Sequence, residues 1–330
     1  MSKRKYQIIA NMRQIFLFLS IVFLIECMAL FSPGNCGDIP RESGPSRLQE
    51  FLETTHVSLS GSVYNIANHI DTFFADERID EESQTSHLHI RLGAKLADGG
   101  HSEFKQRVKM NLELPRAERR LQIVLDSLFE DDDADEIVTF DDDADATVLG
   151  LRYVFSKASR NRFQTRVGLR FRPEPDPNIK IRWSSLFPLG KWAFRPTQFL
   201  EWESRDGFGE TTRLDLDRKL SEKALFRVRG ELTWAETSSG LEFGNSLSYS
   251  RTLSKLSGFK IALGSEGRIR PSPEISKGYL KFVYRRAIYK NWLFLQVEPS
   301  LDLPEEDNYA LCPGIMFYME GIFTAFKAWK

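Results

Sequence analysis

The side chains in this chain that could do chemistry are its charges, which return at every second position. Arg91, Lys95, Lys105, Arg107, Lys109, Arg152, Arg166, Arg170, Arg172, Lys180 and Arg182 form a strongly basic first set. Glu201, Glu203, Asp215, Asp217, Glu231, Glu242, Glu266 and Glu298 follow, mixed with Arg213, Arg227, Arg229, Lys260, Lys281 and Arg285. Fixed charges at this density act by electrostatics. Around an aqueous space they orient solutes and set ion preference. In a dry space an unpaired charge is prohibitive, so they must pair and close it. The sequence leaves both readings open.

Bond-making chemistry has thin support. All five histidines (56, 69, 87, 89 and 101) lie in the first third. His87 and His89 share one face of a strand, but a hydrolase needs a nucleophile with its base, and no elbow motif surrounds Ser86 or Ser102. No phosphate-cradling glycine loop or zinc motif is present. The sequence DDDAD occurs at 131–135 and again at 141–145. Its carboxylates could hold Ca²⁺ or Mg²⁺ through oxygen ligands, but it lacks the glycine and distal glutamate of an EF-hand loop, and a solvated acidic loop is the reading preferred. No catalytic residue, cofactor or metal ligand is assigned, and no enzyme is expected.

The elements that carry the charges are strands. Leu88, Ile90, Leu92, Ala94 and Leu96 alternate with His87, His89, Arg91, Gly93 and Lys95. Phe163, Thr165, Val167, Leu169 and Phe171 alternate with Gln164, Arg166, Gly168, Arg170 and Arg172. A period of two puts one set on each face of a strand, here one apolar and one charged. That is the pattern of a transmembrane β-barrel with lipid outside and water inside. A soluble periplasmic β-sandwich, which also alternates, is the rival. Residues 86–326, at roughly 17 residues per strand and turn, make about fourteen strands, an even number as such barrels require. Short basic or small connections (Pro115–Glu118, Ser156–Ser159, Ser221–Lys223, Ser254–Ser257) are placed in the periplasm. Longer or more acidic ones (127–146, Pro173–Asn178, Arg205–Glu210, Glu236–Gly240, Arg270–Ile275, Pro304–Asn308) face outward. Tryptophans 183, 192, 234 and 292 fall near strand ends, where aromatic girdles meet headgroups.

Residues 1–36 read as a signal peptide. Lys3, Arg4, Lys5 and Arg13 precede the apolar run Ile15–Phe31, and Gly34 and Cys36 fit a cleavage site. Its removal takes the formal net charge from −1 to about −4, a balance that argues against a nucleic-acid partner. Cleavage leaves Cys312 of the cysteines at 27, 36 and 312, so no disulfide framework follows. Residues 37–85 form a linker and an amphipathic helical segment. There Val63, Ile66, Ala67, Ile70, Phe73 and Phe74 recur at spacings of three and four. This helix could plug the lumen from below, dock on a periplasmic protein, or pack quietly under the barrel; the last is preferred. Residues 327–330 are a tail.

The segments LPRAERRLQIVLDS (114–127), FPLGKW (187–192), TQFLEWESRDGFGETTRLDLDR (197–218) and WLFLQVEP (292–299) resemble those of uncharacterised proteobacterial outer-membrane β-barrel proteins. The resemblance implies location and architecture. It brings no activity, cofactor or functional residue.

The expectation is an all-β, antiparallel up-and-down barrel of about fourteen strands with a short periplasmic helical segment, in the outer membrane among lipid and lipopolysaccharide. Its expected role is a passive channel for small hydrophilic solutes, with anions favoured by the basic wall. The alternative is an envelope structural or interaction protein with a closed, salt-bridged lumen. The expected lumen-lining residues are Arg91, Lys105, Arg107, Lys109, Arg166 and Arg170 against Glu201, Asp215 and Glu231.

Overall fold

The structure, a computed structural model, describes residues 67–74, 86–97, 102–114, 120–129, 147–156, 161–172, 174–238, 240–269, 273–290 and 292–324. The expected signal peptide at 1–36, the acidic repeat at 130–146 and the tail at 327–330 lie outside these residues.

Alternation becomes strands nearly throughout. They are β1 (His87–Ala97), β2 (Ser102–Glu113), β3 (Leu121–Phe129), β4 (Thr147–Ser156), β5 (Asn161–Arg172), β6 (Glu174–Ser185), β7 (Phe187–Leu189), β8 (Trp192–Glu203), β9 (Gly207–Ser221) and β10 (Ala224–Ala235). β11 (Leu241–Thr252), β12 (Ser257–Arg268), β13 (Glu274–Tyr289), β14 (Leu293–Pro304) and β15 (Cys312–Thr324) complete the set. Each strand pairs antiparallel with its sequence neighbours, β1 pairs with β15, and β6 pairs with β8. The short β7 continues β6 past a break at Leu186 and pairs only with β8. The result is a closed antiparallel up-and-down barrel of fourteen strands.

Burial runs inside out. Leu151 is 50% exposed, Val167 54% and Leu263 54%, while the inward Arg170, Asp215 and Glu320 are at most 1% exposed. A β-sandwich would bury its apolar face and wet its charges. A largely apolar exterior of this kind belongs against hydrocarbon.

The near rim is the end where β1 starts and β15 finishes; the far rim is the other. Outward-facing aromatics chain along the near rim. Tyr153, Phe155 and Phe163 meet edge to face (4.7 and 5.2 Å), and Trp192 meets Phe226 (6.3 Å). Phe259 contacts Tyr249 (5.9 Å) and Phe282 (6.0 Å), and Trp292 contacts Tyr289 (5.7 Å) and Phe323 (5.0 Å). Amphipathic and aromatic rings in such a band match the headgroup level of a bilayer.

Several expected outward connections are shorter than the sequence indicates: β3 runs on to Phe129, β9 begins at Gly207 and β13 at Glu274. Pro173–Asn178 reads as an outward connection, yet β6 already begins at Glu174. Pro175 and Pro177 pair with Phe171 and Leu169 of β5, while β8 joins β6 only from Asn178 onward. Pro175 therefore stands on a locally free edge, where a missing N–H costs no ladder bond, and Pro177 ends that edge, its carbonyl accepting from the Ser204 N–H at 3.1 Å.

Candidate functional site: the lumenal wall

The candidate site is the inward face of the barrel, and the structure divides its charges into groups. On β5, β6 and β8, Glu201 gathers Arg166 (3.7 Å), Lys180 (3.6 Å) and Arg170 (4.0 Å), and Arg170 also reaches Glu203 (3.0 Å). The ring of Phe199 lies among Lys180 (5.3 Å), Arg182 (5.7 Å) and Arg213 (5.3 Å), distances at which its negative face attracts cations. On β9 and β10, Arg213 donates to Glu231 (2.6 Å) and Arg229 to Asp215 (2.8 Å). Beside the closure, Arg91 of β1 contacts Glu320 (3.0 Å) and Glu298 (3.3 Å) and lies 3.7 Å above the Tyr318 ring. Arg285 of β13 pairs with the same Glu320, and His89 stands 3.6 Å from it.

Every pair named here joins strands that are adjacent or two apart in the ring. The pairs run along the wall.

The nine expected lumen residues fall in separate places. Arg166, Arg170 and Glu201 share one cluster, while Asp215 and Glu231 sit in the β9–β10 network with Arg229 and Arg213. Arg91 belongs to the closure network. Arg107 contacts Asp126 of β3 at 3.4 Å. Lys105 and Lys109 flank Arg107 on the same face of β2, and Lys105 is buried. Of the histidines weighed for chemistry, His87 lies 3.4 Å from Asn111. The Ser86 hydroxyl accepts the Glu113 N–H at 2.9 Å.

Sequence reasoning did not single out Asp126, Glu320 or Phe199, although each occupies an inward position by the same period of two. The signal was available for Glu320, one carboxylate between Met319 and Gly321 in an otherwise apolar strand.

A further component is the helix α1 (67–74). Ala67, Ile70, Asp71 and Phe74 form one face at spacings of three and four, and Ala67, Ile70 and Asp71 are buried while His69 and Thr72 are exposed. Ala67, Ile70 and Phe74 pack on Leu225 of β10. Asp71 lies in the apolar stripe and needs a partner there. Arg227 supplies it, donating to both carboxylate oxygens of Asp71 (3.1 and 2.9 Å) and also to Asp217 (2.6 Å). Phe73 meets Phe294 of β14 edge-on (6.4 Å), and the carbonyl of Phe74 accepts from Arg285 (3.3 Å). At Gly258 of β12, an added Cβ would come within 2.8 Å of Phe73 and 3.2 Å of Phe74. Leu225, Gly258 and Phe294 are inward positions close to the near rim where the lumenal face stops being polar. The helix therefore docks inside the near mouth, against β10, β12, β13 and β14.

No family model matches the chain, and no curated protein matches it. Among solved structures it is similar to OmpT, an outer membrane protein of Vibrio cholerae, at 8% identity over 72% of this chain and 96% of that one, with a TM-score of 0.42. It is similar to the outer membrane channel DcaP of Acinetobacter baumannii at 7% identity (72% and 96% covered, TM-score 0.44). OccK11 of Pseudomonas aeruginosa is similar at 9% identity (73% and 96% covered, TM-score 0.42). At such identities no residue role passes to this chain.

Proposed function

We propose that this protein is a passive channel for small hydrophilic solutes, with a preference for anions, seated in the outer membrane among lipid and lipopolysaccharide after export through a cleaved signal at 1–36. The near rim then faces the periplasm. The observation that carries the reading is the charge imbalance of the wall. On β1 to β6 the described inward positions hold Arg91, Lys95, Lys105, Arg107, Lys109, Arg152, Arg162, Arg166, Arg170, Lys180 and Arg182, against Glu113, Asp126, Glu174 and Asp176. Such an excess in a dry interior would cost several kcal/mol per uncompensated ion. Water and mobile anions along the wall remove that cost, and the same field favours anion entry.

A second reading, an envelope structural or interaction protein with a closed lumen, draws on a different observation. Arg285 and Glu320 are fully buried and paired, and Arg170 is 1% exposed. Planar-bilayer recording separates the two. A channel gives discrete conductance steps and an anion-selective zero-current potential, and Arg166→Glu or Arg107→Glu moves that potential toward cation preference. Folded, inserted protein without conductance, together with capture of a periplasmic protein that depends on residues 45–75, supports the closed reading instead.

A further inference from the structure

We propose that helix α1 is a releasable plug. Docked, it narrows the near mouth and adds the Asp71 carboxylate there; released, it raises conductance and strengthens anion preference. The proposal rests on the channel reading.

Three features of the contact carry it. First, the groove is shaped for the helix. Inward positions elsewhere on these strands are largely polar, but under Phe73 and Phe74 stand Gly258 and Phe294, and under Ile70 stands Leu225. The glycine leaves room that any larger side chain would take from Phe73.

Second, the ionic contact can open without stranding a charge in the wall. Arg227 is forked: its Nε and Nη2 donate to Asp217 (2.6 and 3.2 Å), while Nη1 and Nη2 donate to Asp71 (3.1 and 2.9 Å). When Asp71 leaves, Arg227 keeps the Asp217 carboxylate and Asp71 regains its hydration. Breaking a buried pair is expensive because one partner is left alone in low dielectric, and this arrangement avoids that. Docking instead places a second carboxylate on an arginine already neutralised.

Third, the contacts are one-sided. The wall groups that touch α1 belong to β10, β12, β13 and β14. The eight helical residues span about 12 Å, so they cover one side of the mouth. The basic wall of β1 to β6 lies elsewhere on the ring. Release removes the Asp71 carboxylate from a sector of the wall that carries Arg227, Lys260 and Arg285, while Asp217 stays paired with Arg227, and anion access would rise with it.

The experiment uses the full chain with Asp71→Asn, Gly258→Leu and, as a control on the exposed face of the helix, His69→Ala. Hydrogen exchange of residues 67–74 reads docking, and bilayer recording reads obstruction. Expected in Asp71→Asn and Gly258→Leu is exchange about tenfold faster or more, the scale of one lost charge-assisted hydrogen bond, with strand protection unchanged. Conductance should then exceed wild type and the zero-current potential should move further toward anions, while His69→Ala behaves as wild type. Unchanged exchange in both variants overturns the latch. Faster exchange with wild-type conductance and selectivity overturns the plug while leaving the channel standing. Silence of every variant, wild type included, overturns the channel reading and the plug with it.

Discussion

At the scale of single residues, the most deeply buried ion pair among the described residues is Arg285 with Glu320. Both are fully buried, and Glu320 also receives Arg91 while Arg285 lies 4.4 Å above the Phe294 ring. Such a pair fixes geometry more than it adds net stability, because desolvation offsets most of the attraction. Glu320→Leu removes the carboxylate that balances a buried guanidinium, and urea unfolding should show a loss of about 3–5 kcal/mol. Adding Arg285→Met to that variant should recover most of the loss. A double variant as unstable as the single would show that Arg285 and Glu320 do not act as a unit. Which face each charge takes was legible from alternation alone. Which charge meets which was not, because the partners of Arg166, Arg91 and Arg285 include residues two strands away. Those meetings depend on the stagger between strands, and a period of two carries face but not height.

At the scale of elements, the strands explain themselves: one apolar and one polar set, with tight turns at the near rim. β6 shows where that logic misleads, since Pro175 and Pro177 read as loop until the late start of the β6–β8 pairing frees an edge there. Helix α1 was legible as an amphipathic segment. Its seat inside the mouth, where packing under the barrel was preferred, was not, because the wall positions that receive it are scattered over four strands. Their one trace in sequence is a run of apolar or glycine residues at inward positions near strand starts. The outward face makes a sharp prediction. Val167 lies midway along β5 and is exposed. Val167→Arg should lower unfolding stability in lipid vesicles by about 2–4 kcal/mol, the midplane cost of a charge against hydrocarbon. A cost no larger than that of Gln164→Glu, which places a charge on the inward face beside Arg182, would contradict the orientation of the strand.

At the scale of the whole molecule, closure between β1 and β15 removes the sheet edges that an open barrel would expose to other chains. It also sorts the side chains into two solvents. The apolar exterior and the aromatic near rim fit a bilayer, and the charged interior requires pairing along the wall or water. This sorting underlies the proposed channel, the ion preference proposed for it and the proposed plug alike. Spin labels placed one at a time from Phe163 to Phe171, in protein inserted in vesicles, test it most directly. The account predicts a period of two in opposite phases: oxygen reaches labels at 163, 165, 167, 169 and 171, and a water-soluble nickel complex reaches those at 164, 166, 168 and 170. Access of the nickel complex to the odd positions, or to neither set, would contradict it.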